Sequence, residues 1–165
     1  MLEDNWKCCG CSACVQICPK KCISLAKDRE GFSYPQIDIN RCIDCGLCEK
    51  VCPALRDDSE TRSPEAYAFM HDNEEIRNAS SSGGMFTLLA ETVINMGGIV
   101  FGARFDNEWQ VEIAYAETLQ DLSLFRGSKY VQARVGDAYI TAETFLKQGR
   151  FVLFSGSPCQ IMGLK

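Results

Sequence analysis

The sequence predicts an α+β protein in two parts, a short cysteine-rich domain followed by a partial α/β domain. Three observations predict this division. Two cysteine runs of equal spacing lie within residues 1–55, residues 56–64 are polar and lack periodicity, and from residue 65 onward the apolar residues follow alternating strand and helix periods. We therefore expect a cysteine-rich domain over 1–55, a linker over 56–64 and an α/β domain over 65–165.

The two cysteine runs share one pattern. The first consists of Cys8, Cys11, Cys14 and Cys18, the second of Cys42, Cys45, Cys48 and Cys52, and a proline follows each. Both read C-x2-C-x2-C-x3-C-P, and each second-run cysteine lies 34 positions after its counterpart, as Cys42 does after Cys8. This is the spacing of bacterial two-cluster ferredoxins, in which the fourth cysteine of a run binds the other cluster.

The spacing therefore predicts two [4Fe–4S] clusters and a role in electron transfer. We assign Cys8, Cys11, Cys14 and Cys52 to the first cluster, and Cys42, Cys45, Cys48 and Cys18 to the second.

Zinc and disulfides are the alternatives for so many cysteines. Zinc sites favour paired CxxC units, often with histidine, and the one histidine, His71, lies far from both runs. Disulfides need an oxidising compartment, whereas the polar start MLEDNWK is not a secretory signal. Clusters are favoured, and eleven cysteines without a signal predict a reducing, cytoplasmic location.

Cys9 and Cys22 fall outside the repeated spacing. We expect each to be a small apolar filler. The alternative is a role in cluster repair or conversion.

The charge balance bears on partners. The formal net charge is −5, which argues against nucleic acid and favours a redox partner protein or electron carrier. No apolar run approaches the length of a membrane span.

Between the two runs, the apolar pattern predicts short strands over 23–26 and 33–37, joined by a turn at 28–31. Short helical turns are expected after Cys11 and Cys45. The repeat offset makes this domain two copies of one loop–helix–strand unit.

The second part begins with a predicted strand over 66–70. A helix over 85–95 follows, with Phe86, Leu89, Ala90 and Val93 on its buried face, and Gly97 and Gly98 end it. The segments 99–105 and 111–116 predict a hairpin.

Three more elements complete the prediction. A short helix ends at Phe125, an amphipathic helix spans 137–148, and an apolar strand over 151–154 is expected to be buried on both faces. The sequence then ends after a turn and a helix start, which predicts a chain truncated at its C-terminus.

Three motifs of the second part resemble one known family. They are SSSGGMFTLLAETVI at 80–94, FRGSKYVQ at 125–132 and VLFSGSPCQIMGLK at 152–165. They resemble the family formed by the beta subunits of coenzyme F-420 hydrogenases and dehydrogenases, whose bacterial members carry a two-cluster ferredoxin domain ahead of the family's own domain. The resemblance implies FAD, two-electron exchange at the flavin and one-electron exchange through the clusters.

The resemblance also implies flavin-binding residues. They are Ser81, Ser82, Gly83, Gly84, Ser128, Lys129 and Tyr130. Backbone N–H groups at the helix start suit a phosphate, and the alternative there is ordinary helix capping. For the second group the alternative is a solvated turn.

Cys159 follows the carboxyl end of a predicted strand, where ligand sites of α/β sheets gather. A cysteine near a helix start can have a lowered pKa, so we expect a catalytic proton donor beside the flavin. The alternatives are a ligand to another centre in relatives and a small buried thiol.

Two functions follow. The first is a subunit of an iron–sulfur flavoprotein oxidoreductase, with its substrate and its use of coenzyme F-420 left open. The second is a non-enzymatic ferredoxin-type carrier with a partner-docking domain. A degenerate relative that uses its clusters structurally or as a sensor is a third possibility.

Overall fold

A computed structural model describes residues 5–56 and 63–165 of the chain. It has an α+β architecture with two separate sheets. Most of the predicted linker, residues 57–62, lies outside the described residues. None of the helices described is both long and apolar enough to cross a bilayer.

The cysteine-rich part holds one β-hairpin and two short helices. In order, they are α1 (Ala13–Ile17), β1 (Ile23–Lys27), β2 (Ser33–Ile37) and α2 (Leu47–Lys50), after a 3₁₀ turn at Asn5–Lys7. The two strands pair antiparallel. Asp28 shapes their turn, since its Oδ1 accepts hydrogen bonds of 2.9 Å from the backbone N–H groups of Glu30 and Phe32. Both predicted strands and the turn are confirmed.

The second part contains a three-stranded sheet between helices. Its elements are α3 (Glu74–Asn78), α4 (Met85–Asn95), β3 (Ile99–Phe105), β4 (Val111–Ala116), a 3₁₀ helix (Gln120–Phe125), α5 (Ala138–Lys147), β5 (Val152–Phe154) and α6 (Pro158–Leu164). The strand order is β4-β3-β5. Strand β3 pairs antiparallel with β4 and parallel with β5.

The central strand β3 is buried on both faces. Ile99 and Phe101 point to one core, which contains Tyr139 and Ala142 of α5. Val100 points to the opposite core, with Ala90 of α4. This alternation follows from the two-residue period of a strand, and it sandwiches the sheet between α4 and α5.

The predicted strand over 66–70 does not form. Its large side chains Tyr67 and Met70 are 83% and 65% exposed, so the apolar pattern there buries nothing. Instead the segment runs against the loop before α4. A Cβ on Gly83 would lie 2.1 Å from the Phe69 carbonyl oxygen, so the close approach requires glycine there.

Two burial predictions were also wrong. On α4, Leu89 is 47% exposed, and Thr87 is buried in its place because its hydroxyl accepts a hydrogen bond from the Arg126 guanidinium. The last strand is half-buried rather than buried on both faces, and Phe151 before it is exposed. This strand lies at the edge of the sheet, so only one side of it meets another strand.

The two parts of the chain pack together. Helix α1 lies against α5 and α6, and a Cβ on Gly163 would lie 2.8 Å from the Ala13 side chain. The Gln132 amide forms two hydrogen bonds with the backbone of Ser33, at 2.8 and 3.3 Å. These contacts hold α1 against α5 and α6, and β2 against the segment that contains Gln132.

Candidate functional site

The first cysteine cavity collects the four thiols assigned to the first cluster. Its wall contains Cys8, Cys11, Cys14 and Cys52, together with Cys9, Cys48 and the apolar side chains of Leu25, Pro35 and Leu55. Cys52 comes from the end of the second run, so the fold brings it to the first three cysteines as the crossed assignment requires.

The second cavity mirrors the first. It is lined by Cys18, Cys42, Cys45 and Cys48, with Cys22 beside them. Cys42 and Cys45 are exposed, whereas Cys11 of the first set is buried. The first set therefore lies deeper in the protein, and the second set lies nearer the surface.

The backbone of the two cysteine loops repeats with the sequence. Gly10 and Asp44 both have left-handed φ values, of 67° and 50°, and so do Ser12 and Gly46, at 62° and 69°. The N–H of Gly10 lies 3.5 Å from Cys8 Sγ, and that of Asp44 lies 3.4 Å from Cys42 Sγ. Each loop thus turns a backbone donor toward a sulfur, the kind of hydrogen bond that tunes a cluster.

Burial, together with the neighbouring Cys11 and Cys8 thiolates, raises the pKa of the Cys14 thiol to about 12. Without a metal, several thiolates in one buried place repel one another. Binding of iron stabilises the thiolate form and releases protons. This electrostatic setting suits a group of thiols that is completed by metal.

The spacing of the thiols bears on the type of metal. Four thiolates on one zinc ion, with Zn–S bonds near 2.3 Å, lie about 4 Å apart. Over residues 5–56 and 63–165, no three His, Cys, Asp or Glu side chains close around a point that suits one ion. A [4Fe–4S] cluster binds its four thiolates through separate irons, so it does not need the four sulfurs around one ion.

The two cysteines outside the runs differ. Cys22 is buried, and its sulfur lies 3.4 Å from Cys18 Sγ beside the second cavity. Cys9 is exposed, so its prediction as a filler was wrong. It lies instead in the wall Cys8–Gly10, with its carbonyl oxygen 3.9 Å from the sulfur of Cys159.

A much larger cavity, of about 800 Å³, opens on the other side of this wall. The residues 8–10 line both the large cavity and the first cysteine cavity. Most of the remaining lining comes from the loop before α4 and its first turn, the middle of β3, the segment 125–133 and the turn after β5. Its volume lies in the range of ligand and cofactor sites.

Most of the residues assigned to flavin binding line this cavity. They are Ser81, Ser82, Gly84, Ser128, Lys129 and Tyr130. Gly83 lies behind them, against the backbone of Phe69. The hydroxyls of Ser81 and Ser128 are 3.1 Å apart and join the two loops that carry these residues. The fold therefore brings together two motifs that are 47 positions apart.

Lys129 stabilises its own loop through hydrogen bonds. Its ammonium group donates to the carbonyl oxygens of Arg126 and Leu124, at 2.8 and 3.2 Å. Burial lowers the pKa of this amine. Because its donors are turned toward the backbone, Lys129 fixes the position of the loop as well as contributing positive charge to the cavity.

The sequence analysis missed several lining residues. Phe32 and Tyr34 add aromatic rings from the hairpin of the cysteine-rich part, and Gln160 lines the cavity near α6. Arg126, which belongs to the motif FRGSKYVQ identified in the sequence, adds a second cation. The position of Gln160, three residues after Ser157, is a sequence pattern typical of a helix start. Together with Ser157, Gln160 forms a capping box, in which its Oε1 accepts a 2.8 Å hydrogen bond from the Ser157 N–H.

Cys159 is not among the residues that line the large cavity. It is half-buried at the start of α6, with its sulfur 3.1 Å from the Ser157 hydroxyl. The structure thus brings it to the Cys8–Gly10 wall, and its role as a proton donor stays a prediction.

Comparison with known proteins agrees with the cysteine spacing. The model of the 4Fe-4S dicluster domain matches residues 7–55. An uncharacterized ferredoxin of Methanocaldococcus jannaschii is 36% identical over 53 residues, which cover 32% of this chain and 68% of that protein.

Two relatives are components of larger systems. One is a subunit of F(420)H(2) dehydrogenase from Methanosarcina mazei, which is 24% identical over 162 residues, covering 93% of this chain and 46% of the relative. The other is a subunit of NADH-quinone oxidoreductase from Geobacter metallireducens, which is 42% identical over 52 residues, covering 28% of this chain and 40% of the relative. The chain therefore spans less than half the length of either.

These matches and the geometry of the loops agree on the first part of the chain. It carries the cysteine pattern, the repeated loops and the match to the dicluster model over residues 7–55. The chain is an iron–sulfur electron-transfer protein related to subunits of F(420)H(2) dehydrogenase and NADH-quinone oxidoreductase, and through residues 7–55 it belongs to the 4Fe-4S dicluster ferredoxin family.

Proposed function

We propose that this chain is the electron-transfer part of an iron–sulfur flavoprotein oxidoreductase, related to the beta subunits of coenzyme F-420 hydrogenases and dehydrogenases. Two [4Fe–4S] clusters connect an external electron carrier with FAD in the large cavity. The observation that carries the proposal is the shared wall, because residues 8–10 line both the first cysteine cavity and the large cavity.

The order of the two cysteine cavities fits such a path. The second cavity has exposed thiols, so a carrier protein can approach the cluster assigned to it. The first cavity is deeper and adjoins the large cavity. Electrons from a carrier would therefore enter at the second cluster and leave from the first toward the bound cofactor.

The lining of the large cavity fits FAD chemically. Serine hydroxyls, the N–H groups at the start of α4 and the Arg126 guanidinium suit a pyrophosphate, and Phe32, Tyr34 and Phe125 offer flat apolar surfaces for a ring. FAD would supply the exchange between one-electron and two-electron chemistry. The chain's own residues bind it, orient it and separate it from solvent.

The similarity to the F(420)H(2) dehydrogenase relative supports the proposal, because the alignment covers 93% of this chain and is not confined to the ferredoxin segment. Because that relative is named for F(420)H(2), the two-electron partner of this chain would be a reduced deazaflavin or a related hydride carrier. A reducing compartment such as the cytoplasm would keep the cysteines available to iron.

The alternative is a ferredoxin-type carrier whose second part only docks a partner. The confined match of 42% identity over 52 residues to the NADH-quinone oxidoreductase relative favours it. In that case the large cavity would take no flavin.

FAD binding to the anaerobically loaded protein separates the two functions. We expect roughly eight irons per chain and quenching of FAD fluorescence on binding. Arg126→Met should weaken FAD binding about tenfold, equivalent to ~1.4 kcal/mol. Arg29→Met, at an exposed position away from the cavity, should not change it.

Protein with both clusters intact that binds no FAD would overturn the flavoprotein proposal and favour the carrier. A second readout is electron transfer itself. When the clusters are reduced first and FAD is then added, the flavin absorbance should fall without further reductant.

A further inference from the structure

Two cysteines that belong to neither cluster set meet where the two parts of the chain join. Cys9 and Cys159 are 150 positions apart, and Cys159 Sγ lies 3.9 Å from the carbonyl oxygen of Cys9. The side chains of the two cysteines are also neighbours.

Both cysteines can be reached from solvent. Cys9 is exposed and Cys159 is half-buried. Cys9 lies in the wall between the first cysteine cavity and the large cavity, and Cys159 stands beside it at the start of α6. A small oxidant can therefore contact the pair without unfolding either part.

A further pair of cysteines, Cys18 and Cys22, includes a cluster ligand. The sulfurs of Cys18 and Cys22 are 3.4 Å apart, but Cys18 belongs to the set of the second cluster. When that cluster is bound, the Cys18 sulfur is bonded to iron and cannot form a disulfide. Cys9 and Cys159 are assigned to neither cluster, so their sulfurs can react with each other.

We propose that Cys9 and Cys159 are a redox-active pair that forms a reversible disulfide across the joint between the cysteine-rich part and α6. The oxidant is a low-molecular-weight disulfide. One thiolate attacks it and releases one thiol, and the second cysteine then displaces the other thiol. Two protein thiols lose two electrons and two protons, and the oxidant takes them up as two free thiols.

The bond would have a defined structural effect. It ties the loop of the first cluster to the helix that lines the large cavity, and so fixes the wall between the two cavities. It also closes a loop through most of the chain, which restricts the unfolded state. The pair would therefore stiffen this junction under oxidising conditions, whether or not a flavin is bound.

The test is treatment of the cluster-loaded protein with oxidised glutathione in the absence of oxygen. The remaining thiols are alkylated, the protein is digested, and linked peptides are identified by mass spectrometry. We expect a peptide pair joined through Cys9 and Cys159 that disappears on treatment with dithiothreitol. Cys22→Ser should give the same pair, whereas Cys9→Ser and Cys159→Ser should not.

Iron content is measured in the same samples. A linked pair that forms while roughly eight irons remain bound supports the proposal. Separate glutathione adducts on the two cysteines, no reaction, or a link that appears only after iron is lost would each overturn it. None of these outcomes depends on FAD, so the result is independent of the proposed function.

Discussion

The hydroxyl of Tyr139 donates a hydrogen bond of 2.8 Å to the backbone carbonyl of Cys11. The two residues are 128 positions apart, and the bond is buried between α5 and the first cysteine loop. Burial, followed by the nearby thiols of Cys11 and Cys159, raises the pKa of Tyr139 above its usual range. The hydroxyl therefore stays protonated and remains a donor at any physiological pH.

Tyr139→Phe should lower the free energy of unfolding by about 1–2 kcal/mol, because it leaves a buried carbonyl without its donor. Urea unfolding of the cluster-loaded protein measures this change. Tyr115→Phe is the matched control, since its ring packs on Phe101 at 5.7 Å and this contact survives the substitution. Equal midpoints for the two variants would contradict the role given to the hydrogen bond.

Gln16 caps a helix of the other part of the chain. Its Oε1 accepts hydrogen bonds from the N–H groups of Tyr139 and Ile140, at 3.0 and 3.3 Å, whereas the N-cap residue Asp137 makes no side-chain cap. Its Nε2 is buried and has no hydrogen-bond partner within the part of the chain that the structure describes.

Gln16→Leu should therefore cost about 1–3 kcal/mol of unfolding free energy, since two N–H groups lose their acceptor. Gln16→Glu keeps the acceptor, removes the unpaired donor and adds negative charge at a helix start. We expect it to be at least as stable as the wild type in thermal unfolding. A Glu variant as unstable as the Leu variant would show that the cap is unimportant.

The crossed ligand assignment predicts which cluster each cysteine supports. Cys52→Ser should lose the first cluster and leave roughly four irons per chain, with the electron paramagnetic resonance spectrum of Cys8→Ser. Cys18→Ser should instead match Cys45→Ser. Cys22→Ser, which alters a cysteine outside both runs, should keep roughly eight irons. A Cys52 variant that matched Cys45→Ser would refute the assignment.

Removal of iron should unfold the cysteine-rich part selectively. Within residues 6–56, only Cys11, Ser12, Ala13, Cys22 and Ile23 are buried, so metal bonds must supply much of the folding energy. Hydrogen exchange after anaerobic chelation should show lost protection over β1 and β2 and retained protection over β3. Full protection in the iron-free protein would contradict this expectation.

Lys129 gives a prediction for pH. Burial lowers its pKa in the folded protein, whereas the unfolded value is near 10.4. Between these two values the unfolded chain binds more protons, so this residue makes stability rise with pH up to the unfolded pKa.

Lys129→Met should remove that rise. The stability of the wild type relative to the variant should increase as the pH rises toward the unfolded pKa, as measured by thermal unfolding. Lys27→Met, at an exposed position on β1, is the control and should keep the rise. The same Lys129 variant should weaken FAD binding, because the loop that lines the large cavity loses the hydrogen bonds from Lys129 to the carbonyl oxygens of Leu124 and Arg126.

The elements with strong local signals were predicted correctly. The helix from Met85 to Asn95 and the hairpin of β3 and β4 match their predicted bounds, because periodicity and the flanking glycines are local properties. The segment 66–70 had the composition of a strand but pairs with none of the strands in the described residues, which no local pattern reveals. Thr87 is buried in place of Leu89 for a similar reason, since its partner Arg126 lies 39 positions away.

The sequence by itself determined the ligand chemistry of this protein. The spacing of Cys8–Cys18 and Cys42–Cys52 is a local property, because a cysteine loop must wrap a cluster with neighbouring residues. Only the tertiary structure decided what that loop faces. The wall of residues 8–10 between two cavities, the hydrogen bond from Tyr139 to Cys11 and the meeting of Cys9 with Cys159 all depend on packing between distant segments. Such contacts follow from the burial of whole surfaces, which no spacing along the chain records.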